Sequence, residues 1–136
     1  MKDCLFCKIG SGNIPSQEIY EDKHAFAFLD INPRAPGHTM VIPKAHAATM
    51  LELPEKEMGP FFGAVKKVTG MIQKALKPDG FTMGINHGSV SGQTVEHLHF
   101  HIIPRWFSDG GGSIHSVVNN PPKEGLEEIA KRIKNA

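Results

Sequence analysis

The sequence predicts an antiparallel α+β domain, and two features of its hydrophobic pattern carry this prediction. Short apolar runs bounded by tight turns, such as residues 24–29 and 38–42, are typical of strands. Only one long segment, residues 54–76, repeats its apolar positions at helical spacing. Strands joined by turns, with a single long helix among them, favour an α+β arrangement. The 136 residues are expected to form one domain, residues 1–136.

The predicted strands differ in how they are buried. The first is apolar throughout, which indicates burial on both faces, whereas the third alternates between apolar and polar residues. Pro43 is expected to end the second strand and Pro104 the fourth. The segment before the first strand, residues 4–16, is rich in turn-forming residues. The predicted strands are residues 24–29, 38–42, 81–86 and 94–103.

The pattern also predicts two helices. Pro60 lies within the long one, so the regular helix is expected to begin near that residue. A short helix follows Pro122, and three consecutive glycines predict a mobile loop at residues 108–113. The apolar face of the long helix carries Phe61, Val65, Val68, Ile72 and Leu76, and that of the short helix carries Leu126, Ile129, Ala130 and Ile133.

The composition argues against several classes of partner. The 15 Lys and Arg residues nearly balance the 14 Asp and Glu residues, and a net charge of +1 gives no electrostatic case for nucleic acid. No apolar run approaches the roughly 20 residues that span a bilayer, so no membrane partner is expected. We expect a cytoplasmic protein, in which Cys4 and Cys7 form a metal half-site or a redox pair rather than a structural disulfide.

Three histidines alternate along the fourth predicted strand. Neighbouring members of this row would lie roughly 6.6 Å apart and the outer two roughly 13 Å apart, because a strand rises about 3.3 Å per residue. One Zn²⁺, with bonds to nitrogen of about 2.0–2.1 Å, cannot bind all three. The histidines must therefore have different tasks, and crowding favours their neutral forms near pH 7. One face of the strand carries Val95, His97, His99, His101 and Ile103, and the other carries Glu96, Leu98, Phe100 and Ile102.

The histidine row is accompanied by further motifs along nearly the whole chain. The segment His97-Leu98-His99-Phe100-His101-Ile102-Ile103 matches, without departure, the signature of the histidine triad (HIT) family, which the chain resembles. The resemblance implies a HIT-like fold: an antiparallel sheet of about five strands, one long helix and a short C-terminal helix. Further landmarks in the family's order are Cys4-Leu5-Phe6-Cys7-Lys8-Ile9, Phe28-Leu29-Asp30-Ile31-Asn32-Pro33, Ala35-Pro36-Gly37-His38, Val41-Ile42-Pro43-Lys44 and Gly92-Gln93-Thr94-Val95.

The resemblance implies a nucleotide hydrolase or nucleotidyl transferase that acts at the α-phosphate. His99 would form a covalent nucleotidyl-imidazole that water then hydrolyses, which splits one difficult displacement into two easier ones. His101 and His38 are suited to hold the phosphate oxygens. Gln93 and Thr94 would lie close to the attacked phosphate, where Thr94 would help to protonate the leaving group.

The same resemblance implies where a purine nucleotide such as AMP or GMP binds. Asp30 matches a carboxylate that binds the ribose hydroxyls, and Asn86 matches a polar residue near the ribose and phosphate. The candidates for the apolar purine slot are Phe6, Phe28 and Ile31, each of which could equally be a core residue.

The branch of the family stays open between phosphoramidases and dinucleoside polyphosphate hydrolases. The uridylyltransferase relatives carry glutamine where this chain has His101, which favours the hydrolases. The Cys-x-x-Cys start resembles phosphoramidase-like members, whereas Pro104-Arg105-Trp106 resembles members that act on dinucleoside polyphosphates. Trp106 could stack on a second base or simply pack against the protein.

A structural zinc site is also implied. In HIT proteins with a Cys-x-x-Cys start, the other two ligands are a histidine after the Pro-Lys motif and the first triad histidine, here His46 and His97. With Cys4 and Cys7 they give a Cys₂His₂ set that fills all four positions, so Zn²⁺ would be structural. The alternative is a redox Cys-x-x-Cys, which usually begins a helix in a βαβ unit.

Three functions remain to be compared. An enzyme is favoured over a nucleotide-binding regulatory or scaffold protein, because binding alone does not require the nucleophile His99. A metal sensor would exchange zinc readily, which a closed Cys₂His₂ site resists. The family also implies a homodimer with a continuous sheet. The remaining histidines, His24, His87 and His115, are expected to have no catalytic role.

Overall fold

A computed structural model describes residues 3–136 of the chain. It confirms the predicted α+β class: five strands, one long helix and a short C-terminal helix are present, with an additional short helix near the N-terminus. The elements are α1 Leu5–Gly10, β1 Glu18–Glu21, β2 Ala25–Leu29, β3 Thr39–Pro43, α2 Glu55–Leu76, β4 Gly80–Gly84, β5 Phe100–Arg105 and α3 Leu126–Lys134, with 3₁₀ turns at Ser89–Ser91 and Ile114–Ser116.

The five strands form one antiparallel sheet in the order β1-β2-β3-β5-β4. The last strand along the chain, β5, is inserted between β3 and β4, so the strand that continues from the histidine row lies inside the sheet. The hydrophobic pattern did not resolve β1 as a separate strand, because its four residues, Glu-Ile-Tyr-Glu, include only two with large apolar surfaces.

Each face of the sheet is covered by a helix. Helix α2 covers one face with Phe61, Val65, Val68 and Ile72, as its predicted apolar stripe requires. The short helix α1 covers the other face, where Phe6 and Ile9 join a second apolar cluster. Strand β2 therefore has buried side chains on both faces, which is what its continuous apolar sequence indicated. The strand residues on the α2 side are Ala25, Ala27, Val41 and Ile102, and those on the α1 side are Phe26, Phe28, Met40 and Ile42.

The predicted strand at residues 94–103 was wrong at both ends. The strand begins only at Phe100, so His97 and His99 lie in an irregular segment before it. The ladder between β3 and β5 cannot extend back over them, because β3 ends at Pro43, which has no backbone N–H to donate. The Leu98 N–H instead donates to the Ala47 carbonyl at 2.7 Å. The predicted division of faces still holds for the apolar side, since Leu98 and Ile102 both join the core under α2.

Pro104 does not end the strand, contrary to the prediction. It pairs with Phe81 of β4, and the strand continues to Arg105, whose carbonyl accepts from Asp79 on the β4 side. Because backbone groups alternate sides along a strand, the missing N–H of Pro104 points towards β3, whose pairing with β5 extends only to Ile102. A donor at this fully buried position would have no ladder acceptor, so proline is tolerated there.

Two helix predictions also need correction. Helix α2 begins at Glu55 rather than near Pro60, because a proline close to the N-terminus removes only one i→i−4 hydrogen bond. The segment at residues 4–16 is not only turns: Leu5–Gly10 is helical, and the Cys4 thiol caps it by accepting from the Cys7 N–H at 3.4 Å. Thiols are not among the usual N-cap groups, so capping preferences did not indicate this helix.

The C-terminal part of the chain makes little contact with the sheet. No residue of α3 is buried, and Leu126 and Ile133 of its predicted apolar stripe remain 76% and 71% exposed. Within residues 3–136, no helix is long and apolar enough to cross a membrane.

Candidate active site and metal centre

Four histidines lie on the α1 side of the sheet, where β3 and β5 meet. His38 precedes β3, His97 and His99 precede β5, and His101 is the second residue of β5. The rings of His99 and His101 are 5.1 Å apart, and those of His38 and His101 are also 5.1 Å apart. His38, His97 and His99 are buried at 3%, 0% and 6% exposure. The fold therefore assembles a compact imidazole cluster from two segments that are distant in sequence.

The hydrogen bonds define which nitrogen of each ring carries a proton when the rings are neutral. His99 Nδ1 lies 2.7 Å from the His97 carbonyl, which can only accept, so this nitrogen carries the proton. The lone pair of His99 is then on Nε2. The backbone N–H of Arg34 donates to His38 Nδ1 at 3.1 Å, which places the His38 proton on Nε2.

The proton on His38 Nε2 determines which nitrogen of His101 carries a proton. His38 Nε2 donates to His101 Nδ1 at 2.9 Å, while the Asp30 carboxylate lies further away, at 3.5 Å. His101 Nδ1 is therefore an acceptor, and its Nε2–H remains as a donor. The arrangement supplies one nitrogen nucleophile, on His99, and a neighbouring N–H donor, on His101. This is the combination that displacement at a phosphorus atom requires.

Burial favours the neutral forms of His101 and His38 near pH 7 because it lowers the pKa of both rings. Desolvation is the main cause that lowers the pKa of His101 to about 4, assisted by His99 and His38 and opposed by the Asp30 charge. Burial also lowers the pKa of His38, where Asp30 opposes the shift and Arg34 adds to it. Neutral rings are needed for the proton positions described above.

A second cluster, of two thiols and two imidazoles, lies beside the first. Cys7 Sγ is 3.3 Å from His46 Nδ1, and Cys4 Sγ is 3.3 Å from His97 Nδ1. The four ligand atoms all lie within 4.8 Å of one another. Tetrahedral bonds of about 2.3 Å to sulfur and 2.0–2.1 Å to nitrogen put ligand atoms about 3.3–3.8 Å apart, so this set fits Zn²⁺.

His97 belongs to both clusters. Its Nε2–H donates to the Pro43 carbonyl at 2.8 Å, which leaves the lone pair on Nδ1, the nitrogen that faces the thiols. Burial lowers the pKa of this ring to about 4, so it is neutral and able to act as a ligand. Its carbonyl holds the His99 proton. The candidate metal ligands and the candidate nucleophile are therefore connected through a single residue.

The residues expected in the purine slot occupy different environments. Phe6 and Phe28 are 5% and 3% exposed and pack edge to face, with ring centroids 5.5 Å apart. Phe6 also packs against the His99 ring at 5.0 Å. Ile31 is 88% exposed, next to Asp30. Phe6 and Phe28 thus support the imidazole cluster from within the core, and Ile31 offers its side chain to solvent.

The polar residues expected at the nucleotide site also lie in different environments. Asn86 lines a cleft of about 660 Å³ together with Asp30, His38 and His101. Both amide hydrogens of Gln93 are used by the backbone carbonyls of Ala48 and Val95, and its oxygen accepts from Gly88. Gln93 therefore shapes the loop before the histidines. The Thr94 side chain is exposed and lines a separate cavity with Cys4 and His46.

Residues 112–117 form a wall of this cleft that the hydrophobic pattern does not indicate. The preceding loop, residues 108–113, is predicted to be mobile, and Arg105 connects it to the sheet. Its guanidinium binds Asp109 through two bonds of 2.7 and 3.0 Å, and also donates to the Gly112 carbonyl and to Thr82. A Cβ on Gly111 would lie 2.4 Å from Arg105 Nη2, so glycine lets the loop pass close to the guanidinium. Glycine at this position therefore permits the close contact between the loop and Arg105.

The other histidines and Trp106 lie outside the imidazole cluster. His24 binds Glu57 at 2.9 Å, His87 is exposed, and His115 lies in an exposed 3₁₀ turn. Trp106 lines a cavity of about 510 Å³ that adjoins the cleft.

Comparison with known proteins identifies the family to which this fold and imidazole cluster belong. The HIT domain model matches residues 11–107, so the chain belongs to the HIT family. A HIT-like protein of Methanocaldococcus jannaschii is 47% identical over 131 residues, covering 96% of this chain and 98% of that protein. The adenosine 5′-monophosphoramidase of Schizosaccharomyces pombe is 45% identical over 135 residues, covering 96% and 98%. The crystal structure of a HIT family protein from Bacillus subtilis superposes with a TM-score of 0.87 at 38% identity, covering 98% of this chain and 96% of that one.

Acidification should destabilise the protein through His101. This ring is neutral when folded down to pH about 4, but takes up a proton near pH 6.5 when unfolded. The unfolded chain therefore binds more protons across this interval, and the free energy of unfolding falls as the pH falls through it. In His101→Gln the fall should be smaller, as measured by urea denaturation at several pH values. The control is His115→Gln, which should follow the wild type; equal slopes for all three proteins would contradict the assignment.

Proposed function

We propose that the protein hydrolyses purine nucleotides at the α-phosphate through a covalent intermediate on His99. The observation that carries this proposal is the bond from His99 Nδ1–H to the His97 carbonyl, because it directs the lone pair to Nε2 in a neutral ring. Support also comes from the similarity to a protein named adenosine 5′-monophosphoramidase. The proposed substrates are phosphoramidates or dinucleoside polyphosphates of adenosine or guanosine.

The reaction follows from the two nitrogens. His99 Nε2 forms a bond to the α-phosphorus while the bond from phosphorus to the leaving group breaks. The leaving group departs as an anion, or as an amine that takes up a proton from water. Thr94, the donor that the family resemblance implies, lines a separate cavity and is not assigned this role. Water then forms the new P–O bond, the P–N bond to His99 breaks, and the proton of water is released. Throughout, His101 Nε2–H stabilises charge on the phosphate oxygens, and His38 keeps this proton on His101 Nε2 by donating to His101 Nδ1.

Replacing His99 with alanine should abolish turnover. The nucleophile has no substitute, so kcat for adenosine 5′-phosphoramidate and for diadenosine polyphosphates should fall at least about a thousandfold. Release of AMP, followed by chromatography, measures this directly. His115→Ala, which changes an exposed histidine outside the cluster, is the control. If His99→Ala turns over both substrates like the wild type, the covalent mechanism is wrong and the alternative of a nucleotide-binding regulatory or scaffold protein gains support.

We also propose that Cys4, Cys7, His46 and His97 hold a structural zinc ion. Four ligands from the protein leave no position for a substrate, and the site would join α1, the segment after β3 and the segment before β5. Cys4 does begin a helix, but the sheet is antiparallel, which disfavours the redox alternative of a βαβ unit. Thiolate ligands persist in a reducing compartment, so the proposed location is the cytoplasm.

Removing one thiolate should weaken zinc binding and stability together. Protein purified without added metal should contain about one zinc ion per chain by elemental analysis, and Cys4→Ser should contain less. The melting temperature of Cys4→Ser should also be lower, because metal binding contributes directly to folding. His115→Gln serves as the matched control. A Cys4→Ser protein that is as stable to a chelator as the wild type would count against the site.

We also propose that the chain forms a homodimer, with strand β4 at the edge of the sheet as the interface. This strand is the last in the sheet order, and Phe62 of α2 and Met83 of β4 keep 36% and 43% of their surface exposed. Pairing of β4 with its copy would continue the sheet and cover these side chains.

Sedimentation velocity tests the proposed dimer. The wild type should sediment as a dimer, and Met83→Lys should shift it towards the monomer, because a charge would be buried at the interface. Leu51→Lys, at a residue that is 83% exposed in a distant turn, is the control and should leave the mass unchanged. A monomeric wild type would refute the proposal.

A further inference from the structure

Arg34 lies in a rigid turn at the edge of the imidazole cluster. Pro33 precedes it and Pro36 follows closely, which restricts the backbone on both sides. The turn ends at Gly37, whose φ is +83° and where a Cβ would lie 2.5 Å from Leu76 Cδ1. The Arg34 backbone N–H is bound to the His38 ring at 3.1 Å. The backbone of Arg34 is therefore fixed relative to the imidazole cluster.

The guanidinium group of Arg34 has no partner among residues 3–136. No hydrogen bond or ion pair involves its side chain, whereas the guanidinium of Arg105 is neutralised by Asp109 through two bonds. The charge of Arg34 reaches the cluster, because it contributes to the lowered pKa of His38. An uncompensated cation thus lies beside the residues that would handle the α-phosphate.

Arg34 lines two adjoining cavities. One is the cleft with His38 and His101, and the other is the cavity of about 510 Å³ that Trp106 lines. Both are lined by Arg34, Thr82 and Ile103, so they adjoin along β5. From His101 to Arg105 this strand covers about 13 Å, which is long enough for a phosphate chain beyond the attacked phosphorus.

We propose that Arg34 binds a phosphate of the leaving group, so that the enzyme selects nucleotides with a phosphoanhydride chain over those with a neutral leaving group. This inference rests on the proposed hydrolysis at the α-phosphate and narrows its substrate class. A guanidinium presents a planar fork of N–H donors that matches two phosphate oxygens. Because Arg34 forms no ion pair, binding a phosphate breaks no existing interaction within residues 3–136.

The test is a selectivity ratio measured within each enzyme variant. Adenosine 5′-phosphoramidate and diadenosine triphosphate would place the same adenylate on His99, but they release ammonia and ADP respectively. In Arg34→Gln the ratio of kcat/KM for diadenosine triphosphate to that for the phosphoramidate should fall about 10- to 100-fold, as expected for a lost hydrogen bond to a charged group. Any change in the His38 ring affects both substrates and divides out of the ratio.

Two further variants sharpen this test. Arg34→Lys keeps the charge without the fork, so its ratio should lie between those of the wild type and Arg34→Gln. Arg132→Gln, in the exposed helix α3, removes an arginine elsewhere and should keep the wild-type ratio. An unchanged ratio in Arg34→Gln, or an equal loss on both substrates, would overturn the inference. Activity that survives His99→Ala would instead refute the covalent mechanism, so the two failures are distinguishable.

Binding provides a readout that needs no turnover. By titration calorimetry the wild type should bind ADP more tightly than AMP, and Arg34→Gln should lose this difference. His99→Ala should retain it, because Arg34 is intact in that variant. Equal affinities of the wild type for AMP and ADP would show that the second phosphate has no site, and the inference would then be wrong whatever the catalytic rates.

Discussion

The active site depends on His97, because this one residue makes three kinds of contact. Its Nε2–H is held by the Pro43 carbonyl at the end of β3, its Nδ1 faces the two thiols, and its own carbonyl fixes the proton of His99. If His97 rotated, the ligand set would lose a nitrogen and the His97 carbonyl could move away from His99. A buried and neutral imidazole suits this position, since a charged ring could not serve as a ligand.

The second constraint is neutrality of the imidazole cluster. His38 and His101 share one hydrogen bond, which two fully protonated rings could not form, because each nitrogen in it would then be a donor. Asp30 lies close enough to favour protonation but is outweighed by burial. Phe6 packs against the His97 and His99 rings on the same side of the sheet, so apolar packing contributes to the low polarity around the cluster.

The sequence predicted the fold class, α2 and the buried strands well, because apolar periodicity reports directly on which faces are covered. It failed where backbone hydrogen bonds decide the structure. The start of β5 depends on Pro43 and on the bond from Leu98 to Ala47, neither of which the alternation of histidines reveals. The loop at residues 108–113 depends on the ion pair between Arg105 and Asp109. Both residues are visible in the sequence, but that they pair can be recognised only in three dimensions. The grouping of His38 with His101 likewise came from family resemblance rather than from spacing.

Trp106 lies where its fluorescence can report on the cleft. It is the only tryptophan of the chain, which also has a single tyrosine. Its backbone is bound to Asp109, and its side chain lines the cavity that Arg34 shares with the catalytic cleft. Its near-ultraviolet emission therefore comes from one defined place in the molecule. The protein carries its own optical probe next to the catalytic cleft, so ligand entry can be followed in real time without attaching a label.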